Sequence, residues 1–412
     1  MKISEKSKIY CQCVSLFLRS VLVASIVFST VTMARAEPTE VNSFDELERA
    51  IGDNGKNYIN VKQNIPFTNE IVINRSNLTI SGPGEGEEVE LNGDGKHRFF
   101  IIEGNSENIS LKNLHLKSVS SGDESGYDSG GGAIHLGKEV VVNLEGLTFS
   151  GNQTKSQGGA IYSRGTDSDN KNSLNFTEKT IFDGNKTINK TNLSKGGAIF
   201  AVDSTLIFER GLAIFENNSS IDGGGAIYAE DSSLIFGKAT FENNSSTRVG
   251  GAIYGGNGTK LTFGGEVIFR KNSSASDGGA IFSLGKNDTD KNILKFEGNA
   301  TFVRNSTTEG GNGNGGAISV AYSSLTFGGL ATFENNSSRD NGGAIYASDS
   351  SSIEFNNGLI LIENTTEKAD SGAIDMYGLE DRLAIITIVQ KNLAVPTEFR
   401  GNTSGDDGHN AV

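Results

Sequence analysis

The chain has 412 residues, a formal net charge of −14, 53 Gly, four Pro, no Trp and two Cys. That length exceeds what one ordinary core supports and calls for several domains or an elongated repeat array, while glycine without a three-residue period excludes collagen and points to many tight turns. The acidity disfavours nucleic acid as a partner and reads as a solvated surface.

The first 36 residues carry Lys2, Lys6, Lys8, Arg19 and Arg35 against a single acid, Glu5, and so leave the remainder at −18. A basic start, the apolar run VLVASIVFSTVTM and the small-residue site Ala34-Arg35-Ala36 read as an export signal, with the mature chain beginning near Glu37. The run is shorter than the roughly 20 residues a spanning helix needs, and no later segment reads as a membrane helix. Cys11 and Cys13 lie inside this segment. The mature chain therefore has no thiol, which rules out disulfide-stapled folds and cysteine metal sites.

In SFDELERAI (43–51), Ser43 is a candidate N-cap with Glu46 three residues on, and Phe44, Leu47 and Ile51 fall on one stripe. The pattern predicts a short helix suited to cover the open end of a strand stack. YINVKQNI, EIVINR, NLTISG, EVELNG, HRFFIIEG and NISLKNLHL then read as short strands between turn residues.

Repeats begin at Gly131-Gly132-Ala133-Ile134. The same tetrapeptide opens at Gly158, Gly196, Gly224, Gly250, Gly278, Gly315 and Gly342, with a decayed copy at Ser371-Gly372-Ala373-Ile374. Two intervals are lengthened by the polar insertions GTDSDNKN and GKNDTDKN, which predict loops growing from single turns. Between the copies stands Phe-x-x-Asn, at Phe149/Asn152, Phe182/Asn185, Phe215/Asn218, Phe241/Asn244, Phe269/Asn272, Phe302/Asn305 and Phe333/Asn336, then Leu361/Asn364 and Phe399/Asn402. Each unit divides into three strand-length pieces, as in AIYA, SLIF and ATFENN. About 27 residues without helical periodicity is one coil of a parallel β-helix. The fold expected is all-β, a right-handed parallel β-helix of roughly eleven coils with a short N-terminal capping helix. The expected limits are a signal at 1–36, a cap and irregular coils at 37–129, repeat coils at 130–402 and a tail at 403–412.

In the middle strand, Leu206-Ile207-Phe208, Leu261-Thr262-Phe263 and Leu294-Lys295-Phe296 keep their outer positions apolar while the central one drifts. Period two then puts the first and third residues in the core and the second in water. Applied to the first strand, the same parity turns each Ile inward. The next residue, His135, Tyr162, Phe200, Tyr228, Tyr254, Phe282, Ser319, Tyr346 or Asp375, turns outward. This predicts an exposed aromatic column.

Paired glycines suit a turn needing positive φ and coils pressed together without room for Cβ. The repeated Asn suits a strand end and, stacked coil on coil, a side-chain ladder. Both motifs are explained as construction. Chemistry is thin: four His at 97, 115, 135 and 409 give no close pair, and no nucleophile motif is present. The acids Asp222, Asp231, Asp277, Asp340 and Asp349 are scattered through turns, and the calcium-binding nonapeptide is absent. No catalytic residue, metal or cofactor is assigned.

The alternation of Gly-Gly-Ala-Ile with Phe-x-x-Asn over residues 131 to about 402 resembles the polymorphic membrane proteins of chlamydiae, a family of autotransporters. The resemblance implies a surface-exposed, non-enzymatic β-helical passenger that acts as an adhesin toward a host-cell protein or glycan. It further implies that the repeated motifs contribute to adhesion. Candidate binding residues are Gly224, Gly225, Ala226, Ile227, Phe241, Asn244, Phe333 and Asn336 from the motifs. The column adds Tyr162, Phe200, Tyr228, Tyr254, Phe282 and Tyr346. A family member continues into a translocator barrel, whereas this sequence stops at NTSGDDGHNAV, so a passenger without its anchor is expected. The last coil lacks a cover like that at 43–51, so end-to-end self-association is a further expectation. A carbohydrate-active β-helical enzyme and a non-binding decoy are the alternatives.

Overall fold

The computed structural model describes residues 37–84, 88–121, 130–189, 194–308, 313–368, 372–378, 384–388 and 397–404. The signal expected at 1–36 lies outside the described residues, as do the last eight residues of the expected tail. From Thr39 on, the chain forms one unit. It is a parallel β-solenoid, as the repeats predict.

Every coil contributes strands to stacked, parallel sheets. Ile227–Glu230, for example, pairs with Ile199–Val202 on one side and Ile253–Gly256 on the other, with Ile227 in register with Ile199 and Ile253. The Leu-x-Phe and Phe-x-x-Asn strands make two further columns. These merge into one sheet where Ser204–Glu216 and Ser233–Glu242 run straight through the corner, with a register shift between Phe208 and Leu212. A fourth strand not expected from the sequence follows each Asn: two-residue strands such as Ser219–Ser220 and Ser245–Ser246 form a nine-stranded sheet of their own. Two residues hold too little pattern to be read from sequence.

The parity rule holds throughout the core. Leu206, Phe208, Leu234, Phe236, Leu261 and Phe263 are buried, while Ile207, Ile235 and Thr262 are half-buried on the outer side. Identical residues recur one coil apart, so aromatic rings stack along the axis. Phe149, Phe182, Phe215, Phe241, Phe269, Phe302 and Phe333 stack with centroids 4.7–4.9 Å apart. Phe208, Phe236, Phe263, Phe296, Phe327 and Phe355 form a second pile at 4.8–5.0 Å. The two piles meet edge to face, as at Phe236 and Phe241, the arrangement that ring quadrupoles favour.

The predicted cap is helix α1 (Phe44–Gly52), and its N-cap is Ser43, whose hydroxyl accepts from the Glu46 N–H. Glu46 reaches back to the Asn42 N–H at 2.7 Å, closing the capping turn. Phe44, Leu47, Ala50 and Ile51 are buried, with Phe44 edge-on to Phe67 at 5.2 Å. The apolar face thus covers the first coil. At the other end, Ile385, Ile386, Ile388 and Phe399 stay exposed.

The insertions are loops, as expected. In both, the terminal lysine spans two coils: Lys171 Nζ donates to the Asp231 carbonyl at 2.7 Å, and Lys291 Nζ to that of Ser350.

On the outer face, Asp183, Glu216 and Glu242 stand in register one coil apart. Partial burial pushes the Glu216 carboxyl above its ordinary range, and its neighbours Asp183 and Glu242 push it further against a weaker pull from Lys179. A raised carboxyl pKa means that the fold prefers the protonated acid. Its stability contribution is therefore present at low pH and is lost as pH rises through the raised value. Glu216→Gln is expected to raise the melting temperature at pH 7, with the gap closing by about pH 4. Thermal melts of both proteins at the two pH values check this; an equal gap at both would refute it.

Candidate binding surface

At the glycine corner, the two positions do different jobs. The first glycine is left-handed in every intact copy, from φ +83° at Gly131 to +61° at Gly342, a region that glycine enters freely. The second lies against the coil above it. A Cβ on Gly225 would stand 2.0 Å from the Gly251 carbonyl oxygen, and one on Gly197 would stand 2.0 Å from that of Gly225. Ala226 and Ile227 follow into the core with no exposure.

The Asn of each Phe-x-x-Asn is also interior. Nine asparagines among the described residues, Asn152 to Asn402, are at most 1% exposed. Asn218 donates to Asn244 Oδ1 from both its backbone N–H and its side-chain amide, at 3.1 and 3.0 Å. Asn244 does the same to Asn272 and also donates to the Phe215 carbonyl at 2.9 Å. Buried amides so arranged are satisfied coil after coil.

These positions correct one expectation. Gly224, Gly225, Ala226, Ile227, Phe241, Asn244, Phe333 and Asn336 are all buried, so none of them presents a side chain to a partner. Packing and ladder bonding take them inside.

The aromatic column brings a second correction. Its residues do face away from the main core and form a separate apolar cluster, but Tyr162, Phe200 and Tyr228 are only 1–2% exposed. Tyr254, Phe282 and Tyr346 are half-buried rather than free. The rings stack at 5.3, 5.4 and 4.4 Å from Tyr162 through Phe200 and Tyr228 to Tyr254. They lean back over the turn that precedes the glycine pair. Gly130 lies against Tyr162, and Gly223 against Tyr228 and Tyr254. Lys195, at the equivalent turn, places Nζ 4.4 Å from the Tyr228 ring centroid and donates to its hydroxyl at 2.7 Å. The same hydroxyl donates to Glu230. Strand parity says which way a side chain leaves the backbone, but not what the next turn lays over it. Lys195, just before the Gly196-Gly197 pair, and Glu230, at the end of the Tyr228 strand, escape the parity rule for that reason.

Burial pushes the phenols upward: Tyr228 well above the ordinary range, Tyr254 and Tyr346 to about 12. All three are therefore neutral hydrogen-bonding groups at physiological pH. The scattered acids go to separate places: Asp222 pairs with Arg248 and Asp340 with Lys368, while Asp277 is held by Ser276 and Asn314. Asp231 and Asp349 occupy left-handed turn positions.

Residues 38–193 match the family of pectate lyase-like adhesive domains. Residues 213–230, 238–256, 266–284 and 331–348 each match the Chlamydia polymorphic membrane protein repeat. As matched, that repeat runs from the Phe-x-x-Asn strand across the corner to the strand after Gly-Gly-Ala-Ile. It thus contains the Asn ladder, the glycine stack and the outward aromatic, and leaves out both polar insertions. The probable autotransporter YfaL of Escherichia coli (strain K12) is 34% identical over 95 residues, 23% of this chain and 7% of that protein. The matched segment is therefore a small part of a far longer autotransporter. A solved structure titled L. reuteri 53608 SRRP aligns over 86% of this chain and 100% of its own at 14% identity, with a TM-score of 0.35. On one solenoid, a match to an adhesive domain is thus followed by four matches to the polymorphic membrane protein repeat. Among the described residues, no helix is long and apolar enough to cross a membrane.

Proposed function

We propose that the chain is exported by the signal at 1–36 and adheres to a host-cell surface protein or glycan. The observation that carries this reading is the adhesive-domain match over 38–193 joined, on one continuous stack of coils, to polymorphic membrane protein repeats. Stacked repeats build an extended surface of the kind that solenoids use for recognition. The domain limits proposed are 37–129 for the cap and irregular coils and 130–402 for the repeats. Within the repeats, the contact face proposed is the half-exposed part of the aromatic column, Tyr254, Phe282 and Tyr346. Flat rings, two of them with a polar hydroxyl edge, bury area at low entropy cost against sugars or protein.

The test is binding of purified residues 37–412 to host cells, beside a Tyr254→Ser, Phe282→Ser, Tyr346→Ser variant. Saturable binding that falls about tenfold or more in the folded triple variant is expected, since a few aromatic anchors commonly carry most of an interface's energy. Unchanged binding would remove this face, and no binding by the unsubstituted protein would refute adhesion itself.

A further inference from the structure

The N-terminal coils hold a polar cluster that neither the repeats nor the aromatic column accounts for. Val89–Asn92, Leu114–Lys117 and Thr148–Ser150 are consecutive strands of one sheet. Glu90, His115 and Thr148 are in register, as are Asn92, Lys117 and Ser150. The alternation that buries Leu116 and Phe149 turns His115 and Ser150 to the outer face. There, His115 Nε2 lies 2.6 Å from Ser150 Oγ. The other ring nitrogen, Nδ1, faces Glu88 Oε2 at 3.7 Å. Glu88 is steadied in turn by the Thr148 hydroxyl, 3.4 Å from its second oxygen.

We propose that Ser150, His115 and Glu88 form a nucleophile, base and orienting acid that hydrolyse short O-acyl esters. The three roles require a hydroxyl within hydrogen-bond reach of an imidazole whose far nitrogen meets a carboxylate, whatever the chain order or the fold. Ser150 Oγ attacks the acyl carbonyl carbon while its proton passes to His115 Nε2, and Glu88 faces the imidazolium that results. The ester C–O bond then breaks, and His115 returns the proton to the departing alkoxide. Water, deprotonated at His115 Nε2, attacks the acyl-Ser150 carbon. The carboxylic acid leaves and Ser150 regains its proton, so that ester and water give acid and alcohol.

The surroundings suit the base. Partial burial holds the His115 pKa below its ordinary value, against the opposing charges of Glu88 and Glu90 and with a smaller push in the same direction from Lys117. The imidazole is thus neutral and able to accept a proton at pH 7. Ser150 is flanked in the ladder by Lys117 and Asp183. Lys117 Nζ is tied to Glu90 Oε2 at 3.0 Å on the strand away from Ser150, which leaves the Ser150 hydroxyl to His115. The group stands on the outer face of a sheet, which suits an acetyl or similar small acyl group on an exposed alcohol. It belongs to a different sheet from the aromatic column, so this activity and adhesion are separable.

The experiment uses residues 37–412 with 4-nitrophenyl acetate as substrate and a fluorophosphonate as probe, the labelled residue being read by peptide mass spectrometry. Labelling at Ser150 is expected, and it should weaken as pH falls through the His115 transition below about 6.5. Ser150→Ala and His115→Gln should each lower hydrolysis about a hundredfold or more while the circular dichroism melt is kept. Labelling needs no variant, so it decides the matter even where a substitution fails to fold. Absence of label at Ser150, or hydrolysis at the original rate in folded Ser150→Ala or His115→Gln, would overturn the proposal.

Discussion

Replacing Gly225 by Ala should loosen the solenoid between two particular coils. The added Cβ would fall 2.0 Å from the Gly251 carbonyl oxygen and 2.5 Å from that of Ser245. Both are backbone atoms of the next coil, paired through bonds such as Gly225 N–H to the Gly250 carbonyl at 3.1 Å. No side chain can move aside, so the coils must part. The loss should reach or exceed about 4 kcal/mol, the range seen only when a backbone contact or core is broken. Because each coil touches only its neighbours, the damage should appear as a local weak point. Limited proteolysis is expected to cut near this corner, and the melting temperature to fall. Gly184→Ala is the control: its φ is +62° but nothing lies within 4 Å of the added Cβ, so only backbone strain of about 1–2 kcal/mol applies. A Gly225→Ala protein that resists protease and melts within about 2 °C of the original would sink this account.

Asn244→Ala should be nearly as severe, through hydrogen bonding instead of volume. Asn244 Oδ1 takes both amide bonds from Asn218, and Asn244 Nδ2 supplies Asn272 Oδ1 and the Phe215 carbonyl. Alanine removes the partner of the Asn218 backbone N–H, that of one of the two Asn218 Nδ2 hydrogens (the other stays on the Phe182 carbonyl) and the side-chain donor to the Phe215 carbonyl. At about 1–3 kcal/mol for each of these three groups, the expected cost is on the order of 3–9 kcal/mol. Asn244→Asp tests the direction of the ladder. Its second carboxyl oxygen would face two acceptors, so the fold would favour the protonated acid and the destabilisation should deepen as pH rises above about 4. The exposed neighbour Asn243, at φ +54°, should cost about 1 kcal/mol when changed to Ala, from turn geometry alone. Equal melting temperatures for Asn243→Ala and Asn244→Ala would show that the ladder carries no energy.

Much of the fold is legible in the sequence because a solenoid repeats its local rules. Gly-Gly predicts positive φ and close approach, and Gly224 and Gly225 show one each. Leu-x-Phe predicts two residues in and one out, which holds at Leu234, Ile235 and Phe236. Ser43 and Glu46 mark the start of the capping helix. The candidate surface is less legible. Tyr228 leaves its strand on the outer side, as the parity rule requires, yet Lys195 and the Gly223 turn cover it. His115 and Ser150, 35 residues apart, meet at 2.6 Å through ladder register. His115 belongs to no motif, and Ser150 fills a variable position of its Phe-x-x-Asn copy.

By itself, then, the sequence determined the parallel stack of coils, its capped beginning, its glycine corners and the inner faces of its strands, because these depend on period-two alternation and on residue types that suit only one backbone geometry. The tertiary structure alone decided which outward residues stay at the surface and which side chains of different coils meet. Those outcomes depend on how one coil's turn lies over its neighbour's strand, a relation between segments about 27 residues apart that no single repeat contains.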